Sequence, residues 1–76
     1  MYKIILNYSD NLKDGRTITS ISETLGISID YLSRIFNQKV SCKKVIAMSL
    51  ISLKEKIYIN DSKMEELLEH YFEKVA

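Results

Sequence analysis

Apolar residues recur at intervals of three and four along most of the chain, the spacing that places them on one face of a helix. Near the amino terminus, Ile5, Tyr8 and Leu12 follow this spacing, and Gly15 comes soon after. Glycine often ends a helix because it adopts the left-handed backbone conformation without strain. The pattern therefore predicts a first helix that ends near Gly15.

Two further helices are predicted on either side of Gly26. Thr17 and Ser28 stand where N-caps are expected, since their hydroxyls can accept hydrogen bonds from free N–H groups of a first helical turn. The apolar positions of the earlier helix are Ile18, Ile21 and Leu25. Those of the later helix are Tyr31, Leu32, Ile35 and Phe36.

These two helices meet the requirements of a helix-turn-helix. Such a unit needs a short turn with a residue at positive φ, a small residue where the helices touch, and apolar residues on both inner faces. Gly26 suits the turn and Ser22 suits the contact. We expect the inward-facing residues to be Ile21, Leu25, Ile27, Leu32 and Ile35.

The second half of the chain predicts two more helices joined by an irregular connection. Ser41 is a candidate N-cap for a helix over residues 42–56, whose apolar residues spread over more than one face. The segment "KIYIND" fits the end of that helix, a short extended segment with Ile57 and Ile59 on one side, or a linker, and an irregular connection is favoured. Ser62 with Glu65 three residues later forms a capping-box pattern. A carboxy-terminal amphipathic helix is predicted over about residues 62–75, with the apolar stripe Met64, Leu67, Leu68, Tyr71, Phe72 and Val75.

Together these patterns predict an all-α protein, a single small domain of about five helices spanning residues 1–76. With 76 residues, of which 46% are hydrophobic and 28% charged, the core is near the lower size limit for autonomous folding. No proline, repeat or low-complexity stretch marks a domain boundary.

The chemistry-bearing residues are few. Cys42 is the only cysteine, which excludes an internal disulfide and leaves a zinc site without enough ligands. His70 lies far from Cys42 in the sequence, and Asp30 and Glu23 show no arrangement typical of a catalytic acid–base pair. We expect a protein that is not an enzyme and uses no cofactor or metal. The sequence also lacks a membrane-spanning apolar run and a signal peptide, so we expect a cytoplasmic location.

Charge is distributed unevenly although the net charge is only +1. Residues 1–56 hold nine Lys/Arg against five Asp/Glu, whereas residues 57–76 hold two against five. The first part is therefore about +4 and the tail about −3. This asymmetry permits DNA binding by the first part, but it is mild compared with domains that bind nucleic acid by charge alone.

The stretch "GRTITSISETLGIS", continuing through "YLSRIFNQKVS" into the fourth predicted helix, resembles the helix-turn-helix of phage Cro and repressor proteins, a large family of small prokaryotic regulators. The resemblance covers about residues 15–53 and implies a helix-turn-helix at about residues 17–37. "YLSRIF" is also similar to a segment of AraC-type activators, but the short loop and the lack of a second helix-turn-helix favour the first family. The resemblance implies a transcriptional regulator of phage or mobile-element type that binds double-stranded DNA.

If the family's geometry holds, the third helix enters the major groove. Its outward positions are Ser28, Ile29, Asp30, Ser33, Arg34 and Asn37. Arg34 can contact guanine or a phosphate, Asn37 can reach adenine, and Ser33 can contact a base or the backbone. The candidates for phosphate contacts are Thr17, Thr19, Lys39, Lys43 and Lys44.

Two of the outward residues keep a second function open. Ile29 can touch a thymine methyl group and Asp30 can accept from cytosine N4. An exposed isoleucine beside an acid is also typical of a protein-binding surface, with an apolar anchor and a polar rim. The alternative is therefore an antirepressor or host-defence inhibitor that uses this fold to bind a repressor or a nuclease. A structural or assembly role is a third alternative.

Self-association is expected at the carboxy-terminal helix. Helix-turn-helix regulators commonly form two-fold dimers, which add phosphate contacts and set half-site spacing. We expect packing against the fourth helix to leave part of the apolar stripe uncovered for a homodimer or partner contact. The residues concerned are Leu68, Tyr71, Phe72 and Val75.

Overall fold

The computed structural model describes residues 1–5 and 9–75. Within these ranges it contains five helices and two short strands. In chain order they are β1 (Tyr2–Ile4), α1 (Ser9–Lys13), α2 (Ile18–Leu25), α3 (Ile29–Phe36), α4 (Lys44–Glu55), α5 (Met64–Tyr71) and β2 (Phe72–Lys74). The chain is mostly helical, as expected, but the two strands show that the all-α prediction was wrong.

The strands join the two ends of the chain in an antiparallel sheet. Tyr2 pairs with Lys74 and Ile4 pairs with Phe72. The Ile5 N–H donates to the carbonyl of the last residue of α5 at 2.9 Å, which extends the contact by one residue. These backbone bonds satisfy the polar groups of the terminal segments, so the ends adopt extended rather than helical structure.

Because the ends of the chain form strands, both terminal helices are shorter than predicted. Ile5 precedes α1 and lies outside any helix, whereas Leu12 is in α1 and is buried. Tyr8 lies outside the described residues. Phe72 and Val75, expected on a helical stripe, belong to β2 and to the residue after it.

A second backbone contact holds the segment between α3 and α4 against β1. Tyr2 and Cys42 exchange two N–H···O=C bonds, both 2.7 Å long. The Gln38 amide adds a bond from Nε2 to the Ile4 carbonyl at 2.6 Å. Because Cys42 is engaged in this bridge, α4 begins only at Lys44, and the prediction that Ser41 caps it was wrong.

The connection from α4 to α5 is irregular, as predicted for "KIYIND". Lys56 ends α4 with a φ of 56°. The Ser62 capping box does not form. The N-cap position of α5 is Lys63, whose side chain makes no capping hydrogen bond. The Lys63 N–H donates to Asp61 Oδ1 at 2.9 Å. The Asp61 carboxylate therefore accepts a hydrogen bond from the backbone just before α5, and Ser62 does not act as the cap.

The core is formed by residues of all five helices and both strands. Ile21, Leu32 and Ile35 are buried, and Leu25 and Ile27 pack against the core while partly exposed, so the inward face was predicted correctly. The other buried residues are Ile4, Leu12, Ser22, Phe36, Cys42, Ala47, Leu50, Ile51, Met64, Leu68, Tyr71 and Phe72. Among the described residues, no helix has the length and apolar character needed to cross a membrane.

Candidate functional site

The unit formed by α2, α3 and the three residues between them is fixed by local hydrogen bonds. Thr17 Oγ1 accepts from the Ser20 N–H at 3.0 Å, and Ser28 Oγ accepts from the Tyr31 N–H at 3.1 Å. Gly26 has a φ of 70° and donates its N–H to the Ser22 carbonyl at 2.8 Å. Both predicted caps and the predicted positive-φ residue are thus confirmed.

Ser22 in α2 is the small residue predicted at the contact between these helices. Its side chain is buried, and its hydroxyl donates to the Thr19 carbonyl at 2.8 Å. A buried hydroxyl without a partner would be costly, and this local bond removes that cost. Ser22 is therefore buried without an unpaired polar group.

Helix α3 has two different faces. Leu32, Ile35 and Phe36 are buried beneath it. Its outer face, together with the residues that flank it, consists of Ser28, Ile29, Asp30, Ser33, Arg34 and Asn37, of which only Ser33 is partly covered. This set is the one predicted for contact with DNA or a partner, and the fold brings it together on one surface, here called the α3 face.

Two side-chain pairs, each four residues apart, organise the α3 face. Arg34 Nε lies 3.2 Å from Asp30 Oδ2. Beside this ion pair, Asn37 Nδ2 donates to Ser33 Oγ at 3.3 Å. The sequence prediction named all four residues but missed the ion pair, which the spacing of an acid four residues before an arginine could have indicated.

Three cationic residues lie shortly before or after the α2–α3 unit in the chain. Lys39 and Lys43 are exposed, and in the part of the chain that the structure describes no carboxylate lies within ion-pair distance of either. Arg16, which the sequence prediction did not name, is half-exposed directly before the N-cap of α2. These three side chains are available for an anionic ligand.

Lys44 is differently placed. Its Nζ lies 2.6 Å from Glu65 Oε1 at the start of α5. The hydrogen bond to Glu65 and the charge of that carboxylate raise the pKa of Lys44. A phosphate would therefore have to compete with Glu65 for this ammonium group.

The two threonines predicted to contact phosphate lie at the beginning of α2. Both Thr17 and Thr19 are exposed. The Thr17 oxygen already accepts the capping bond, but its hydroxyl proton can still be donated outward. Both side chains are therefore accessible at the same end of α2 as Arg16.

The predicted self-association stripe is not a surface. Leu68, Tyr71 and Phe72 are all buried in the chain's own core, and only Val75 is partly exposed. The Tyr71 hydroxyl donates to Glu55 Oε1 at 2.7 Å, which fixes it against α4. The expectation that packing leaves part of the stripe uncovered was therefore wrong for Leu68 and Tyr71, which α5 places in the core, and for Phe72, which β2 places there. A homodimer stays a prediction, but the buried residues of this stripe are not available to form its interface.

Cys42 and His70 lie apart from the α3 face. Cys42 is fully buried, and this burial raises the pKa of its thiol to about 11. His70 is exposed on α5, with its ring centroid 4.8 Å from that of Tyr71. Among the described residues, no three side chains of the metal-ligating types come together.

No protein-family model matches the chain, and neither the curated proteins nor the solved structures contain a significant match.

Proposed function

We propose that this protein binds double-stranded DNA through a helix-turn-helix formed by α2 and α3, and that it acts as a small transcriptional regulator. The observation that carries the proposal is the α3 face: Ser33, Arg34 and Asn37 project from a helix whose opposite side is anchored in the core. A reading helix must be held rigidly while its outer side chains remain accessible.

The dimensions of α3 suit the major groove. With its side chains an α-helix is about 10 to 12 Å across, and the major groove of B-DNA is about 12 Å wide, so α3 can lie in the groove. In this position Arg34 reads a guanine edge and Asn37 an adenine edge, while Ile29 contacts a thymine methyl group.

The surrounding charges orient the complex. Lys39 and Lys43 follow α3 in the chain, Arg16 precedes α2, and all three side chains are candidates for phosphate contacts. Thr17 and Thr19 supply neutral donors to a phosphate. Helix α5 presents the exposed acids Glu65, Glu66 and Glu69, which disfavour DNA on that side.

The test is binding to double-stranded DNA at several salt concentrations, measured by fluorescence anisotropy. Each phosphate contact releases counterions, so the logarithm of the affinity falls linearly with the logarithm of the salt concentration. Lys43→Ala should reduce the magnitude of this slope by about 1 if Lys43 contacts a phosphate. Lys63→Ala is the matched control, because Lys63 is also an exposed lysine but precedes the acidic helix α5. No salt-dependent binding to any duplex would refute the proposed function.

Ile29 supports a second candidate function, binding to a protein such as a repressor or a nuclease. Its side chain is 51% exposed, beside a pair, Asp30 and Arg34, whose charges cancel. An accessible apolar anchor with polar neighbours is typical of the centre of a protein interface. If protein is the partner, Ile29→Asp should weaken that complex more than Arg34→Ala does. If DNA is the partner, Arg34→Ala should weaken binding by about 1 to 3 kcal/mol.

A further inference from the structure

We propose that Asp30 is a positioning residue that holds Arg34 for end-on reading of a guanine, and that it thereby sets the sequence selectivity of the α3 face. This inference rests on the proposed DNA-binding function. It assigns to Asp30 a gain in sequence selectivity that comes with a loss of general affinity for DNA.

The ion pair fixes which edge of the arginine remains available. Arg34 Nε lies 3.2 Å from Asp30 Oδ2, so the carboxylate lies at the Nε edge of the guanidinium group. The two terminal nitrogens of the planar group then remain as the donor fork. That fork matches the O6 and N7 acceptors of a guanine in the major groove.

The position of the pair on α3 suits this role. Asp30 lies in the first turn of α3, where the helix dipole favours a negative charge. The acid precedes the arginine by four residues, so both side chains lie on the same side of the helix. Both are also well exposed, at 77% for Asp30 and 59% for Arg34, so the pair is accessible to a ligand.

Fold stability does not account for the pair. An ion pair exposed to this degree contributes little to folding, because water screens it and two flexible side chains must be ordered. The same ordering becomes useful on binding, since a pre-oriented arginine loses less rotamer freedom when it engages a base.

The negative charge of Asp30 also lowers the affinity of the α3 face for DNA. A carboxylate on the face that enters the groove is repelled by the phosphates of every duplex, whatever its sequence. Removing the charge should therefore raise affinity for DNA in general. Without the ion pair, the Arg34 side chain can also adopt rotamers that contact a phosphate, so discrimination between guanine and other bases should fall.

The experiment begins with selection of bound sequences from a randomised double-stranded library by the wild-type protein. A duplex carrying the enriched sequence is then compared with duplexes in which each guanine in turn is replaced, using competition anisotropy. The discrimination ratio at one guanine should be about 5-fold or more, as expected for a bidentate arginine contact.

Four variants separate the role of Asp30 from general charge effects. Asp30→Asn should lower the ratio at that guanine by about two- to fivefold, the range of an exposed ion pair, and should bind unrelated duplexes more tightly than wild type does. Asp30→Glu keeps the charge and should retain the ratio. Glu69→Gln removes the same charge from α5 and should leave the ratio unchanged. Arg34→Lys keeps the positive charge but lacks the fork, so it should lose most of the discrimination.

A double-mutant cycle decides whether Asp30 acts through Arg34. In the Arg34→Lys background, Asp30→Asn should no longer change the ratio, because the group that it positions is absent. An equal loss in both backgrounds would overturn the inference.

The remaining outcomes keep the two proposals distinguishable. Selection of a sequence without discrimination at any guanine, or an Asp30→Asn ratio equal to that of wild type, overturns the inference while DNA binding stands. Absence of binding to any duplex at low salt overturns both proposals. In that case, loss of a protein complex on Ile29→Asp would favour the protein-binding function.

Discussion

Replacement of Leu32 by alanine tests how strongly the α2–α3 unit depends on its anchor. Leu32 is fully buried on the inner face of α3, four residues after the N-cap Ser28. The α3 face can present its outer side chains only if this inner face stays in the core. The substitution should therefore destabilise the protein without changing any residue proposed to contact a ligand.

The expected magnitude follows from the burial of the side chain. At about 0.8 kcal/mol per buried carbon, the lost end of the leucine corresponds to roughly 2.4 kcal/mol. The cavity that remains brings the expected loss to about 2 to 5 kcal/mol. A domain of 76 residues has a free energy of unfolding of about 4 to 11 kcal/mol, so this loss removes a large share of it.

The assay is urea unfolding followed by circular dichroism, with Ile29→Ala as the control. Ile29 is an aliphatic residue of the same helix, but its side chain is half exposed, so its replacement should cost about 1 kcal/mol or less. If both variants lose the same small amount of stability, α3 does not pack on the core as described. A Leu32→Ala variant that is unfolded without denaturant agrees with the upper end of the range.

Three further predictions concern α2, α3 and the cysteine. Thr17→Ala and Ser28→Ala should each lower the free energy of unfolding by about 1 kcal/mol in urea unfolding, because each removes an N-cap acceptor; no change in either would contradict the caps. Gly26→Ala should cost about 1 to 2 kcal/mol in the same assay, since a Cβ there meets no atom within 4 Å and the strain comes from the φ of 70° alone; an unchanged midpoint would contradict this reasoning. Cys42 should resist alkylation at neutral pH in the native protein, because burial raises the pKa of its thiol and so keeps it protonated; labelling as fast as in urea would show that the thiol is accessible.

Local sequence signals were sufficient to predict α2, α3 and the turn between them. Thr17 and Ser28 lie directly before apolar runs with helical spacing, and Gly26 interrupts the chain between them. A cap and a turn depend on hydrogen bonds across a few residues, so these features are encoded within the segment that forms them. The resemblance to the phage helix-turn-helix proteins implied which residues face outward, and the residues of the α3 face were therefore predicted as a set.

The ion-pair partners of the charged candidate residues were not predicted. Asp30 and Arg34 were treated as separate candidate contacts, although their four-residue spacing allows the ion pair that the structure contains. Lys44 was grouped with the other lysines, yet it contacts Glu65 from a distant part of the chain. A partner twenty-one residues away leaves no signal in the local pattern.

The tertiary structure alone decided what happens at the two ends of the chain. Residues 2–4 and 72–74 form strands because each supplies the hydrogen-bond partners that the other lacks, across nearly the whole length of the sequence. Strands of three residues are too short to reveal an alternating pattern, and Phe72 fits a helical stripe as well as a buried strand position. The sequence thus determined the elements that satisfy their own backbone groups locally. Long-range pairing determined that α5 ends at Tyr71, and with it the place of Phe72 in the core.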